Sequence, residues 1–344
     1  MGARSERLLG LDGLRAFAVL AVFLFHYEQP HISGGLLGVQ TFFVLSGWLI
    51  TGILAKEHAR AGRISYRRFM SRRFLRLVPA LVVVTIGCVI AAVASGSTAQ
   101  IGWWAPGAML YVNNLLIPLN HPSTYLSPTW SLAVEMQFYV VSPFVLAVLL
   151  RRGQKAASRV FAGCAVTMMV AIAVLALILP LQWLYFPGLG GVCGLLAGSA
   201  LALRPMRVRP VLGVGAFAVL LGACFVSPDW THKAFWLGWV QLSTLASMIV
   251  VAWLSSSPGG AFSSRPAVWI GQRSYAIYLY HVAVRVVLLS IVSLSASRVT
   301  LIGLVITLAL AALSYRLVEL PFLRIKRRYE APISPEPDVE PAVA

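Results

Sequence analysis

The chain has 344 residues, 59% of them hydrophobic and only 11% charged, and its mean hydropathy is +0.81. That balance excludes an ordinary soluble globular domain and matches a polytopic membrane protein. The net charge of +17 does not point to nucleic acid, because the basic residues fall between apolar runs and no soluble basic domain carries them.

The first apolar run, residues 11–27, reads as a membrane-spanning helix interrupted by Asp12 and Arg15, and it lacks a cleavage pattern, so it is expected to remain as a signal anchor. Arg15 and His26 lie eleven residues apart in it. At about 100° per residue they fall within about 20° of one another on one face, about 16 Å apart along the axis. Ionisable groups at membrane depth are costly and usually line a cavity or pathway, which makes both functional candidates.

Further apolar runs at 35–54, 77–94, 130–150, 161–179, 186–203, 211–226, 235–254, 274–291 and 299–318 bring the predicted total to ten spans, each near the ~20 residues a crossing needs. Residues 101–119 contain Pro106, Asn113, Asn114 and Pro118 and suit a re-entrant or interfacial segment on the outer side. The positive-inside rule supports that choice: counting 101–119 as a full span would place Arg151, Arg152, Lys155 and Arg159 outside. Without it, 24 of the 28 basic residues fall on the cytoplasmic side, and both termini are cytoplasmic. The expected location is the plasma membrane, and the lipid bilayer is the first implied partner. Cys88, Cys164, Cys193 and Cys224 sit within apolar runs without metal or redox spacing and read as packing residues; no metal site is expected. Residues 1–328 are expected to form one all-α membrane domain, and 329–344, rich in Pro and acidic residues, a disordered cytoplasmic tail.

In this topology Glu135 lies about 8 Å below the outer end of the fourth span, at a depth similar to that of His26. A carboxylate beside an imidazole orients it and strengthens it as a base, the arrangement that activates a hydroxyl. The structural alternatives are that His26 anchors the interface and that Glu135 caps or bridges helices. In the basic segment 56–76, Arg73 and Arg76 stand one turn apart and suit bidentate contacts to a polyphosphate. Anionic lipid and topology are the competing explanation there. The ninth span adds His281 and Arg285 on one face, with Tyr275, Tyr278 and Tyr280 suggesting a second cavity wall. Glu319 falls at the cytoplasmic end of the last span, where helix termination or pairing with a basic residue is the default.

The segments LDGLRAFAVLAVFLFHY, GVQTFFVLSGWLI, RRFLRLVPA, PTWSLAVEMQFY, SYAIYLYHVAV and LVELPF, in this order, resemble the type 3 membrane acyltransferase family, the integral-membrane O-acylases of bacterial polysaccharides, Nod factors and macrolide antibiotics. The likeness covers nearly the whole chain. It implies a ten-helix acyltransferase domain that moves an acyl group, usually acetyl, from cytoplasmic acyl-coenzyme A to a hydroxyl of a carbohydrate or glycosylated acceptor, with no permanently bound cofactor. By that resemblance His26 is the essential histidine, Arg15 its paired arginine, Arg73 and Arg76 the donor-binding pair, and Glu135 the acid of the fourth span. Members often carry a second acid after that position; here it is Met136. Some members also carry an extracytoplasmic esterase-like domain, so a separate acceptor-handling protein is an implied partner. A spacing of about 16 Å makes Arg15 a guide for the donor rather than a partner of the same carbonyl. The competing readings are a macrolide-type antibiotic O-acyltransferase and, from another class, a secondary transporter or flippase.

Overall fold

The computed structural model describes residues 2–28, 30–98, 101–119, 125–257 and 259–327, and the expected tail lies outside them. Every regular element among the described residues is helical. In chain order the helices are α1 (Gly2–Tyr27), α2 (Leu37–Ala61), α3 (Tyr66–Ala94), α4 (Ile101–Met109), α5 (Asn113–Leu116), α6 (Thr129–Leu150), α7 (Gln154–Ile178), α8 (Gln182–Tyr185), α9 (Leu189–Leu203), α10 (Pro210–Val226), α11 (Val240–Ser256), α12 (Arg265–Gln272), α13 (Ser274–Ile291), α14 (Ala296–Ser314) and α15 (Leu320–Arg327).

Nine helical stretches among the described residues are long and apolar enough to cross a membrane, and α10, at 17 residues, is a shorter apolar tenth. The main difference from the sequence expectation lies at the boundaries. The basic segment ending at Arg76 and the third span form one continuous helix, α3, with Pro79 inside it. The last span runs on through a π-turn, Tyr315–Glu319, into α15.

Residues 101–119 do not cross. At about 1.5 Å per residue the nine residues of α4 reach about 14 Å, half of the ~30 Å hydrocarbon core. Tyr111 then takes a left-handed φ of 56° and turns the chain back. The returning segment is tied to α6: Asn113 Nδ2 donates to Thr129 Oγ1 at 2.7 Å, Asn114 and Gln137 exchange amide hydrogen bonds at 3.1 and 3.0 Å, and Gln137 Nε2 also donates to the Tyr111 carbonyl. The asparagines that disqualify the segment as a lipid-facing helix are therefore its anchors.

Two features place α1 at the centre. Its backbone is approached closely by other helices: a Cβ on Gly271 of α12 would meet the Asp12 carbonyl, and one on Gly38 of α2 would meet that of Ala18. Beside it, α2 packs on α9 through Gly47 and Gly198, where any side chain would strike the facing backbone. Polar side chains join the same interfaces. Gln40 Nε2 donates to the Gly190 carbonyl at 2.8 Å and to Thr244 Oγ1 at 2.7 Å, Thr41 pairs with Ser247, and Thr51 donates to Ser199 at 2.8 Å. In contrast, α7 and α14 expose most of their apolar surface, as lipid-facing helices do. Central helices can carry ionisable groups away from lipid, and α1 carries Asp12, Arg15 and His26.

Candidate active site

Two cavities lie along α1. The first, of about 90 Å³, is walled by Arg15 of α1, Ser46 of α2, Arg73 and Arg76 of α3, Glu135 of α6 and Tyr278 of α13. The second, of about 150 Å³, holds His26. Val39 and Tyr278 line both, so they are neighbours separated by one layer of side chains.

In the first cavity the basic residues of α3 divide by role. Arg72 pairs with Glu57 at 3.4 Å, and Glu57 also accepts the Ser65 backbone N–H at 2.9 Å, so this arginine secures the turn between α2 and α3. Arg73, one residue on, is only 6% exposed, lies against the rings of Phe69 and Tyr139 with 5.5 Å to each centroid, and has an Nε without a hydrogen-bond partner among the described residues. Arg15 is held by Asp12 at 2.8 Å, one turn earlier on its own helix. Glu135 accepts from Ser46 Oγ at 2.5 Å and from Tyr139 Oη at 3.2 Å. Among the described residues no ion pair joins Arg73 or Arg76 to a carboxylate. Three guanidinium groups, that of Arg73 buried, against the single carboxylate of Glu135 in the wall leave a cationic excess that favours an anion.

The second cavity is built differently. His26 Nδ1 lies 2.9 Å from the Val22 carbonyl and 3.3 Å from His281 Nε2. The Nδ1 of His281 lies 2.7 Å from the Tyr278 carbonyl. A carbonyl oxygen only accepts, so each Nδ1 carries the proton. His281 Nε2 is then an acceptor aimed at the His26 Nδ1–H, and the lone pair of His26 sits on Nε2. The pair is braced from α1, where the Tyr27 hydroxyl donates to the His281 carbonyl at 2.9 Å. A histidine whose proton is held on one nitrogen by a fixed acceptor is prepared to act as a base through the other.

The structure separates the expected His26–Glu135 pair. Glu135 lies in the cavity of the arginines and His26 in the other; the residues near His26 are Ser127 and Pro128, ahead of the first turn of α6, whereas Glu135 is two turns further along that helix. The place expected for the carboxylate beside His26 is filled by His281, which sequence reasoning marked only as part of a second wall. A polar route still links the two cavities. Ser131, one turn before Glu135, shares a hydrogen bond of 2.7 Å with the Tyr278 hydroxyl, and Tyr278 supplies the carbonyl that His281 uses. Arg15, Arg73 and Arg76 come together as expected; Tyr275 and Tyr278 line the first cavity. Ser46 is new: it lies midway along α2, and only its place in FFVLSG, within a segment that carries the family resemblance, offered a signal.

Comparison with known proteins points in one direction. A family model described as an acyltransferase domain matches residues 8–316. The O-acetyltransferase OatA of Staphylococcus aureus (strain NCTC 8325 / PS 47) is 30% identical over 354 residues, covering 91% of this chain and 57% of that protein. A second S. aureus protein, SACOL0978 of strain COL, is 32% identical over 343 residues with the same coverage. The chain thus spans little more than half the length of these curated relatives. No solved structure matches. The match over nearly the whole helical bundle establishes that the chain belongs to the acyltransferase 3 family.

Proposed function

We propose that the protein is a plasma-membrane O-acyltransferase that takes an acyl group, acetyl by preference, from cytoplasmic acyl-coenzyme A and delivers it to a hydroxyl of a carbohydrate or glycosylated acceptor. The observation that carries this reading is the adjacency of an arginine-walled cavity and a histidine-pair cavity across Tyr278. The names of the S. aureus relatives support acetyl as the group moved.

Arg73, Arg76 and Arg15 grip the phosphates of the donor, and the thin pantetheine arm carries the thioester past Tyr278. His26 Nε2 takes the proton of the acceptor hydroxyl as its oxygen attacks the thioester carbonyl. The C–S bond breaks, an ester forms, and the coenzyme A thiolate leaves as the thiol by taking the proton back from His26. His281 accepts the His26 Nδ1–H throughout, which holds the ring and stabilises the imidazolium. Glu135 belongs to the donor side in this scheme, where it balances part of the guanidinium charge. The positive-inside pattern supports cytoplasmic termini and a donor cavity open toward the cytoplasm.

The test is thioester turnover. Detergent-purified protein should release free coenzyme A from acetyl-coenzyme A and form an acetyl ester on an added glycan. Solute movement across proteoliposomes without thioester cleavage would instead favour a transporter.

A further inference from the structure

We propose that the His26 cavity is the acceptor subsite for an uncharged sugar ring, and that Trp230 is its specificity-determining wall. This deepens the acyl-transfer reading and rests on it.

The cavity is aromatic on most sides, with Phe25, Trp130, Tyr185, Phe186, Trp230 and Tyr278 in its lining. These rings hold one another. Tyr185 stacks on Trp230 with centroids 4.7 Å apart and planes 10° from parallel, Trp130 packs on Tyr185 at 4.5 Å, and Phe186 meets Trp230 edge-on at 5.5 Å. The Trp230 carbonyl accepts the indole N–H of Trp236 at 2.8 Å, which fixes the loop that carries it. Trp230 nevertheless remains half-buried rather than sealed.

The polar groups of the lining residues are neutral: the His26 imidazole, the hydroxyls of Ser127, Tyr185 and Tyr278, and the indole N–H groups of Trp130 and Trp230; among the described residues no Lys, Arg, Asp or Glu lines it. A rigid stack of π faces edged by uncharged donors and acceptors complements a ring whose faces are polarised C–H groups and whose rim is hydroxyls, which describes a pyranose. A carboxylated or phosphorylated sugar would meet no cationic side chain in this lining, since Arg285, one turn after His281, lies outside it. The neighbouring cavity, with three guanidinium groups, is where a polyanion belongs. The contrast in charge across Tyr278 therefore sorts a neutral acceptor from an anionic donor, and it places the acceptor ring against the residue with the free basic nitrogen.

The experiment is calorimetric binding to the purified full chain in detergent, using methyl β-glucopyranoside, methyl β-glucuronide and cyclohexanol as probes, with acetyl-coenzyme A titrated in parallel. The glucoside should bind at least about tenfold more tightly than the glucuronide and more tightly than cyclohexanol. Trp230→Ala should weaken the glucoside about tenfold and leave acetyl-coenzyme A affinity unchanged, and Trp230→Phe should recover part of the loss. Ser127→Arg should reverse the order and favour the glucuronide, a gain that misfolding cannot imitate. Equal binding of glucoside and glucuronide, absence of glucoside binding, or indifference to Trp230→Ala overturns the proposal. Failure of the acyl-transfer reading looks different: the probe pattern persists while acetyl-coenzyme A is neither bound nor cleaved.

Discussion

The cavity walled by Arg15, Arg73 and Arg76 and the cavity walled by His26 share Val39 and Tyr278, yet the first gathers three guanidinium groups and the second carries no Lys, Arg, Asp or Glu. Their polar groups are also organised by different means. In the first, Arg15 is held by Asp12 and Glu135 stands in the wall without an ion pair to Arg73 or Arg76, so three guanidinium groups keep a cationic excess that an anion completes. In the second, the imidazoles already satisfy one another and two backbone carbonyls, and a single lone pair is left over. Substitutions on the two sides should therefore divide between binding and turnover.

The largest effect is expected at His26. His26→Ala should lower kcat by about 10²–10⁴-fold, the usual contribution of a positioned base, with little change in KM for acetyl-coenzyme A. The truncation enlarges a cavity already of about 150 Å³, so added imidazole should restore part of the rate. Near-normal turnover in the folded variant removes His26 from the chemistry. A smaller loss is expected at His281, a positioning residue that touches the base and not the substrate. His281→Ala should cost about tenfold in kcat, in line with loss of one hydrogen bond to a group that becomes charged, and His281→Gln, which keeps an acceptor, should recover most of it. Equal losses in KM and kcat without rescue by Gln would mark His281 as a packing residue.

Glu135 sharpens the comparison from the other side. Had it oriented His26, its neutral amide would cripple turnover. Because it is bonded to Ser46 and Tyr139, Glu135→Gln should change kcat by no more than about threefold, an effect the size of one neutral hydrogen bond, and act on donor binding instead. A loss of kcat beyond a hundredfold would restore the pairing with His26.

The sequence pattern made the architecture legible because hydropathy, breakers and charge asymmetry all report on the bilayer, the strongest constraint on such a chain. Pro106, Asn113 and Asn114 identified the segment that turns back, and helical spacing put Arg15 and His26 on one face. The His26 partner was not legible from depth alone. A span's starting residue sets the depth of every position after it, and α6 begins so that Ser127 and Pro128, not Glu135, come level with His26. His281 and Trp230 meet this site across 255 and 204 residues of sequence, and only helix packing brings them together. The division of Arg72 from Arg73 was equally hidden, since one faces Glu57 and the other the cavity although they are adjacent.

Sidedness gives the smallest but clearest readout. In a background without native cysteines, Thr98→Cys and Leu119→Cys, which flank α4 and α5, should both react with an impermeant thiol reagent added to intact spheroplasts, whereas Gly153→Cys should react only after permeabilisation. Protection of Leu119→Cys alone would mean that the segment crosses the membrane and that α6 starts from the cytoplasmic side.

The division of the two cavities is tested by calorimetric titration of acetyl-coenzyme A into purified Arg73→Ala and His26→Ala proteins side by side. Arg73→Ala should weaken binding by about tenfold or more, the worth of a charge-assisted contact, Arg73→Lys should restore only part of it, and His26→Ala should bind like the parent while failing to release coenzyme A. Unchanged affinity in Arg73→Ala together with lost affinity in His26→Ala would contradict the division of the two cavities into a donor site and a chemical site.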